Sequence, residues 1–443
     1  MNKLEPKLLM ASLACITSVL LGHNAGNKLL VTIGLISIIA LVLVSYKKNF
    51  INLMLLLLPF STVLKLNQGS MSVYTVISIL VFIALGMELK TRYDLRSVLI
   101  AGCLATGALS SKLLLGNDLS MSFFTFFLFL VLIPSYIKYH GEDIDFEKSA
   151  VYLATGVLAA SFLSILFKNS PGLISYINVY EWQKADITRL SGFYGDANYY
   201  SAQVLVAISA LLVILINIRS KYKPFVSSLI VGLIYYGSLS VSKSFIILLS
   251  LILILWLIAV MFSKISIKQK LAIYIITSFI IIYIATNGIL TEQISMYSTR
   301  FGMITDASTL STGRSLIYEN YLRYISSNKI LLSFGQGLSS IYQYELQGRA
   351  SHNTLIQMIY QIGLFGTAIM ALWLKRLSLL TSKTRNKYGL SGGVQAAMLV
   401  IGCIGPWLAL DMMFFDDFFY ILVVLIIGLQ YIRTNQSPLD KVA

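Results

Sequence analysis

The chain has 443 residues, of which 57% are apolar and 12% charged, about half the charged share of a soluble domain. That composition excludes a string of ordinary globular domains and reads as an integral membrane protein, in which each spanning helix needs about 20 residues. The net charge of +15 is spread over many short connections rather than gathered into one basic domain, which argues against nucleic-acid binding and fits attraction to anionic lipid headgroups.

Fourteen apolar runs follow one another near 8–22, 28–46, 49–66, 71–89, 95–116, 120–139, 149–167, 198–219, 224–241, 244–262, 270–287, 353–374, 391–410 and 418–432. They predict an all-α polytopic bundle of about 12–14 transmembrane helices with two long extracytoplasmic loops. The first run follows Lys3 and Lys7 but has no convincing cleavage site after it, so it is expected to be retained as a helix. With the N-terminus cytoplasmic, most of the 34 basic residues fall on inner connections, among them Lys47, Lys48, Lys138, Lys148, Lys221, Lys223, Lys264, Lys375 and Arg376. The bias toward basic inner connections then places both termini inside.

Along the chain this gives helices over 1–167, a first long outer loop at 168–197, central helices over 198–287, a large outer loop at 288–352 and C-terminal helices over 353–443. The acidic stretch Glu142, Asp143, Asp145 and Glu147 reads as a solvated inner turn. Asp196 or Asn198 is placed to cap the helix after the first loop. The second loop is far longer than an ordinary connection and calls for structure of its own. Within it Ile317, Tyr321, Tyr324 and Ile325 recur at helical spacing after Arg314, predicting an amphipathic interfacial helix that ends in a tight turn at Gly335-Gln-Gly337.

Polar residues gather in those outer loops. Arg189-Leu-Ser-Gly-Phe-Tyr-Gly-Asp-Ala-Asn198 lies between two apolar runs; a guanidinium there suits a lipid-linked phosphate, because its planar fork matches phosphate oxygens. The plainer role for Arg189 is an interfacial anchor, which needs no defined turn with Gly192 and Gly195. Lys243, in Ser242-Lys-Ser244, sits between two spans with almost no loop and calls for a polar cavity or an anionic partner. Arg314 follows Thr312-Gly313 at a loop-to-helix entry, where backbone N–H groups also favour anions. Arg323 lies nine residues further on and is not expected to share its face. His352 adjoins Arg349, Ser351 and Asn353 and has the titration range of a base for a sugar hydroxyl. Asp411, Asp416 and Asp417 cluster at the last outer turn, where capping is the expected role and no metal-ligand geometry is recognisable. Cys15, Cys103 and Cys403 fall in separate spans and form neither a metal pattern nor a disulfide framework. Nucleotide-binding, zinc-protease and serine-hydrolase motifs are absent from the sequence, so no cofactor and no use of ATP are expected.

In order, these segments are Arg189-x-x-Gly192-Phe-x-x-Asp196-x-Asn198, Ser242-Lys-Ser244, Ser311-Thr-Gly-Arg314 leading to Gly335-x-Gly337, and His352-Asn353 followed by Gly363-Leu-Phe-Gly366. Over about residues 180–370 this resembles the O-antigen polymerase and ligase superfamily. The resemblance implies an inner-membrane glycosyltransferase of the bacterial cell envelope whose donor is an undecaprenyl-diphosphate-linked glycan bound at the extracytoplasmic face. Membrane lipids surround it, and flippase and chain-length-regulating proteins work beside it. It implies catalytic roles for Arg189 and His352, with Arg314, Lys243, Asp196, Asn198, Arg349 and Asn353 as substrate contacts. The sequence departs from the family where Lys243 stands in place of arginine, keeping the charge but not the fork, and where Ala197 stands in place of proline. The expected activity is polymerisation of repeat units for a capsule, exopolysaccharide or O-antigen. A ligase transferring finished glycan is the nearest alternative, and a lipid-linked oligosaccharide flippase is the alternative from another class.

Overall fold

The structure, a computed structural model, describes residues 5–88, 93–115, 121–174, 180–182, 187–218, 220–271, 274–275, 291–302, 304, 313–338, 346, 348–381, 388–413 and 416–435. Lys184 and Asp186 of the first long loop, Ser311 and Thr312 of the second, and most of the apolar run 270–287 lie outside these residues. The chain is an all-α polytopic membrane protein. Its helices are α1 (Pro6–Asn24), α2 (Lys28–Leu57), α3 (Val73–Met87), α4 (Leu95–Leu115), α5 (Met121–His140), α6 (Phe146–Leu166), α7 (Ala197–Asn217), α8 (Lys223–Ser238) and α9 (Lys243–Met261), then α10 (Thr291–Gly302), α11 (Arg314–Ser327), α12 (Lys329–Phe334), α13 (Thr354–Thr381), α14 (Leu390–Ile404) and α15 (Asp416–Asn435). Ten of the described helices are long and apolar enough to cross a membrane. Among the described residues the one strand pairing is a short antiparallel hairpin, β1 (Tyr180–Trp182) with β2 (Ile187–Arg189), in which Tyr180 opposes Arg189.

The expected runs 28–46 and 49–66 both fall in the segment α2, whose two arms run in opposite directions, so the chain doubles back within it. The first arm lies antiparallel to α1, with Gly34 against Cys15 and Val19, and Val31 against Gly22. The second follows α6, with Asn49 bonded to Lys148, Asn52 to Ser149 and the Leu56 backbone against Gly156. Because α1 and α6 share one direction, with Glu5 meeting Lys148 at one end and Asn24 meeting Ser170 at the other, the reversal falls near Lys47 and Lys48. The second arm stops as α-helix at Leu57 rather than 66, since Pro59 has no N–H to continue the ladder and opens a short 3-10 turn, Leu58–Phe60.

α7 is the central post: its side chains are buried along nearly the whole length, between α6, α8, α14 and α15. A helix apolar on every face is what a bundle centre requires. Asp196 caps it, its carboxylate accepting from the Asn198 N–H at 2.6 Å.

The second long loop packs as its periodicity predicts. Tyr321 and Ile325 of α11 are buried with Leu331 of α12 and Tyr360 of α13, and Ile317 and Tyr324 pack at the margin. Gly335-Gln-Gly337 is more than a turn. It wedges between α4 and α13, with Gln336 N–H donating to the Tyr360 carbonyl at 2.6 Å, Gly337 N–H to the Gln361 carbonyl at 2.9 Å, and the Ser111 hydroxyl to the Gly335 carbonyl. Across the wedge α13 is kinked at Gly363, whose φ of +66° suits glycine and whose Cα faces the Ser333 carbonyl.

These contacts sort the turns onto two ends of the bundle. One end holds Glu5, Lys47, Glu88, Asp94, Lys138, Lys148 and Arg376. The other holds the Arg189 turn of the first long loop and the described parts of the second around α11, α12 and His352.

Candidate functional site

The turn after β2 is shaped by two glycines in left-handed conformation, Gly192 (φ +57°) and Gly195 (φ +73°). A Cβ at Gly192 would meet the Tyr200 ring at 2.9 Å, so this turn is specified by both conformation and space. The Phe193 ring packs on Phe60 with centroids 5.6 Å apart, and its carbonyl accepts from Thr62. Below, Tyr194 donates to Asp417, a fully buried carboxylate of α15 that also accepts from Gln203 at 2.8 Å.

Arg189, only 9% exposed, is oriented from two directions. Its Nε donates to the Ser240 carbonyl at 2.9 Å and its Nη2 to the Asn198 amide oxygen at 3.0 Å. That same amide oxygen accepts from the Ser242 hydroxyl at 3.0 Å, and Ser242 pairs with Ser244 at 3.0 Å. The first two polar motifs therefore form one structure. Asn198 acts here as the bracket for Arg189, and Asp196 as the helix cap. A cavity of about 260 Å³ opens beside Arg189, walled by Ile165, Leu190, Leu239 and Met296, with Lys168 and Glu292 also lining it.

Sequence reasoning missed Arg300. It lies on α10 one turn after the buried Tyr297, and its Nη1 donates to the carbonyl of Val241, next in the chain to the carbonyl held by Arg189. Two guanidinium groups on consecutive carbonyls are close neighbours. Burial, then the charges of Arg189 and Arg314, pull the Arg300 pKa down to about 10. Lys243, the first residue of α9, lies within reach of the same charge. The available signal was the spacing of Tyr297 and Arg300, which places an aromatic and a cation on one face of a helix.

Arg314 is half-buried at the start of α11, where Gly313 supplies a left-handed N-cap (φ +78°). Its charge acts on both Arg300 and His352. Burial first, and Arg314 second, lower the His352 pKa below the ordinary histidine value, against the opposing charges of Asp411 and Asp196. At neutral pH the imidazole is therefore neutral and able to accept a proton. Asn353 spends its side-chain oxygen on the start of α13, accepting from Leu355 N–H at 3.0 Å and Ile356 N–H at 3.2 Å.

Arg349 has an exposed side chain, and its carbonyl accepts from the Tyr321 hydroxyl at 2.6 Å. One expectation is corrected. Asp411 caps no helix through its own segment but accepts, across the fold, from Ser351 and from Asn353 N–H at 3.0 Å. Arg323, as expected, lies off the site in an exposed pair with Glu319. Among the described residues no group of three or more histidine, cysteine or carboxylate side chains is arranged to hold a metal ion.

The arrangement offers cations on fixed carbonyls, a neutral imidazole and an apolar-walled cavity at the end of a membrane bundle. No family model matches the chain, and no curated protein matches it.

Proposed function

We propose that the protein is a bacterial inner-membrane glycosyltransferase that polymerises oligosaccharide repeat units carried on undecaprenyl diphosphate, working at the extracytoplasmic face. The observation that carries this reading is the gathering of Arg189, Arg300 and Arg314 around the same end of the bundle as His352. Cations crowded at a membrane face suit a ligand with more than one negative charge, and a diphosphate is such a ligand.

The growing glycan on its lipid diphosphate is the donor and a hydroxyl of the next lipid-linked unit the acceptor. The acceptor oxygen forms the new glycosidic bond as the bond from the donor's anomeric carbon to the diphosphate breaks. The lipid diphosphate leaves with the bonding electrons, stabilised by the arginines, and the acceptor's proton passes to neutral His352.

Purified protein given lipid-diphosphate-linked repeat units and no ATP should build a ladder of longer lipid-linked glycans. His352→Ala should abolish the ladder while donor binding persists. Translocation of the lipid in vesicles with no lengthening of its glycan would replace this reading with a flippase. Transfer only to a non-repeat acceptor would replace it with a ligase. For sidedness, a cysteine at exposed Arg349 should react with an impermeant thiol reagent in intact cells, and one at exposed Glu142 only after the membrane is opened, both in a Cys103→Ser background.

A further inference from the structure

His352 has a φ of +52°, a strained conformation for a residue with a side chain that persists only where its surroundings impose it. The imposing group is Asp411, 3% exposed. Its Oδ1 accepts from the Ser351 hydroxyl and from the Asn353 N–H at 3.0 Å, gripping the residues on either side of the histidine. Tyr318 steadies the turn from α11, its hydroxyl facing the His352 carbonyl at 3.2 Å and the Leu408 carbonyl at 2.9 Å. The segment of Asp411 is itself fixed: Tyr199 donates to its carbonyl at 3.1 Å, and Thr354 bonds the Leu410 carbonyl at 2.6 Å and the Met412 N–H at 3.0 Å.

The grip uses one oxygen. Oδ2 of Asp411 is buried with no hydrogen-bond partner among the described residues. An asparagine would reproduce both Oδ1 contacts, so the shape of the turn does not require a carboxylate, and burying a charge without use is costly. The groups that act on His352 are Arg314 from the start of α11, Asp196 from the cap of α7 and Asp411. Tyr318 donates to its carbonyl.

We infer that Asp411 is a positioning residue for His352, locking it in the left-handed turn and supplying the negative charge that stabilises the imidazolium formed when it takes the acceptor's proton. This rests on the proposed role of His352 as base, and the logic is that of a buried aspartate behind a catalytic histidine.

The test is titration of His352 by NMR on histidine-labelled full-length protein in detergent, with His352→Ala to assign the signal, beside the pH profile of kcat/KM. Asp411→Asn keeps the grip and removes the charge. His352 should then titrate at a lower pH than in the wild type, the acidic limb of kcat/KM should move down with it, and kcat should fall about tenfold or more. Ser351→Ala, which loosens the turn and keeps the charge, should leave the titration in place. Asp411→Glu should also keep the titration close to wild type and lower kcat through misplacement. An unmoved His352 titration in Asp411→Asn overturns the inference, and so does failure of both Asp411 variants to fold, which would assign the residue to the fold alone. The titration reads the proposal even if His352→Ala still polymerises, in which case the base assignment falls on its own.

Discussion

At the end of the bundle that carries Asp94, the cations face carboxylates. Arg376 grips Asp94 with both arms of its guanidinium, at 2.6 and 3.0 Å, and Lys138 stands 3.6 Å away. Lys148 meets Glu5 at 2.9 Å and Lys47 meets Glu88 at 3.0 Å. At the other end Arg189 donates to the Ser240 carbonyl and the Asn198 amide oxygen and Arg300 to the Val241 carbonyl, while Arg300 feels the charges of Arg189 and Arg314 and acts in turn on Lys243. Paired charges staple helices together. Like charges brought close together cost stability, and such crowding is what the proposed diphosphate site would use.

If the two ends differ in this way, their variants should separate stability from activity. The largest effect is expected from Asp94→Ala, which leaves Arg376 without its buried partner. The fold should lose about 3–5 kcal/mol, read as a lower melting temperature in detergent, with turnover per folded molecule unchanged. Burial raises the Asp94 carboxyl, but hydrogen bonds from Arg376 and Ser97 outweigh it and hold the pKa well below the usual carboxylate range. Its contribution is therefore complete above the unfolded value of about 4 and is lost as the pH falls below that, so the wild-type advantage over Asp94→Asn should shrink in acid.

Next in size is Arg189→Lys, which keeps the charge and loses the fork. Polymer formation should fall about 10²–10³-fold at normal protein abundance, the scale of removing one preorganised donor from a transition state. Near-normal polymer would make Arg189 an anchor and dissolve the contrast between the ends. Arg300→Gln should cost less, about 10–100-fold in kcat/KM, because two arginines remain; an unchanged rate would remove Arg300 from the site. Since burial and Arg314 lower the His352 pKa, the acidic limb of the wild-type rate profile should lie below the ordinary histidine value of about 6.5, and a limb above it would contradict a neutral base. The smallest effects are expected from Lys47→Ala, whose exposed pair should contribute less than about 1 kcal/mol, and from Arg349→Ala, which should leave the rate within about twofold of wild type, as for most surface changes.

Much of this fold is legible in one dimension because lipid leaves few choices: an apolar run of sufficient length must close its backbone bonds internally, so runs such as 149–167 and 198–219 become α6 and α7. The cap at Asp196, the apolar face of α11 and the left-handed glycines of the Arg189 turn follow from equally local rules. Local rules also select the loops that hold Arg189, Lys243, Arg314 and His352.

Other features depend on contacts between residues far apart in the chain. That Asn198 and Ser240 aim Arg189, that Arg300 joins it on the next carbonyl, and that Asp411 grips the turn of His352 from 58 and 60 positions away could not be read from spacing. The doubling back of α2, by contrast, falls at Lys47 and Lys48, where the sequence already placed an inner connection between the runs 28–46 and 49–66. Hydrophobic periodicity records which face of a helix is buried, whereas the partner that buries it, and the oxygen to which a guanidinium is finally bound, are settled only when all the helices pack together.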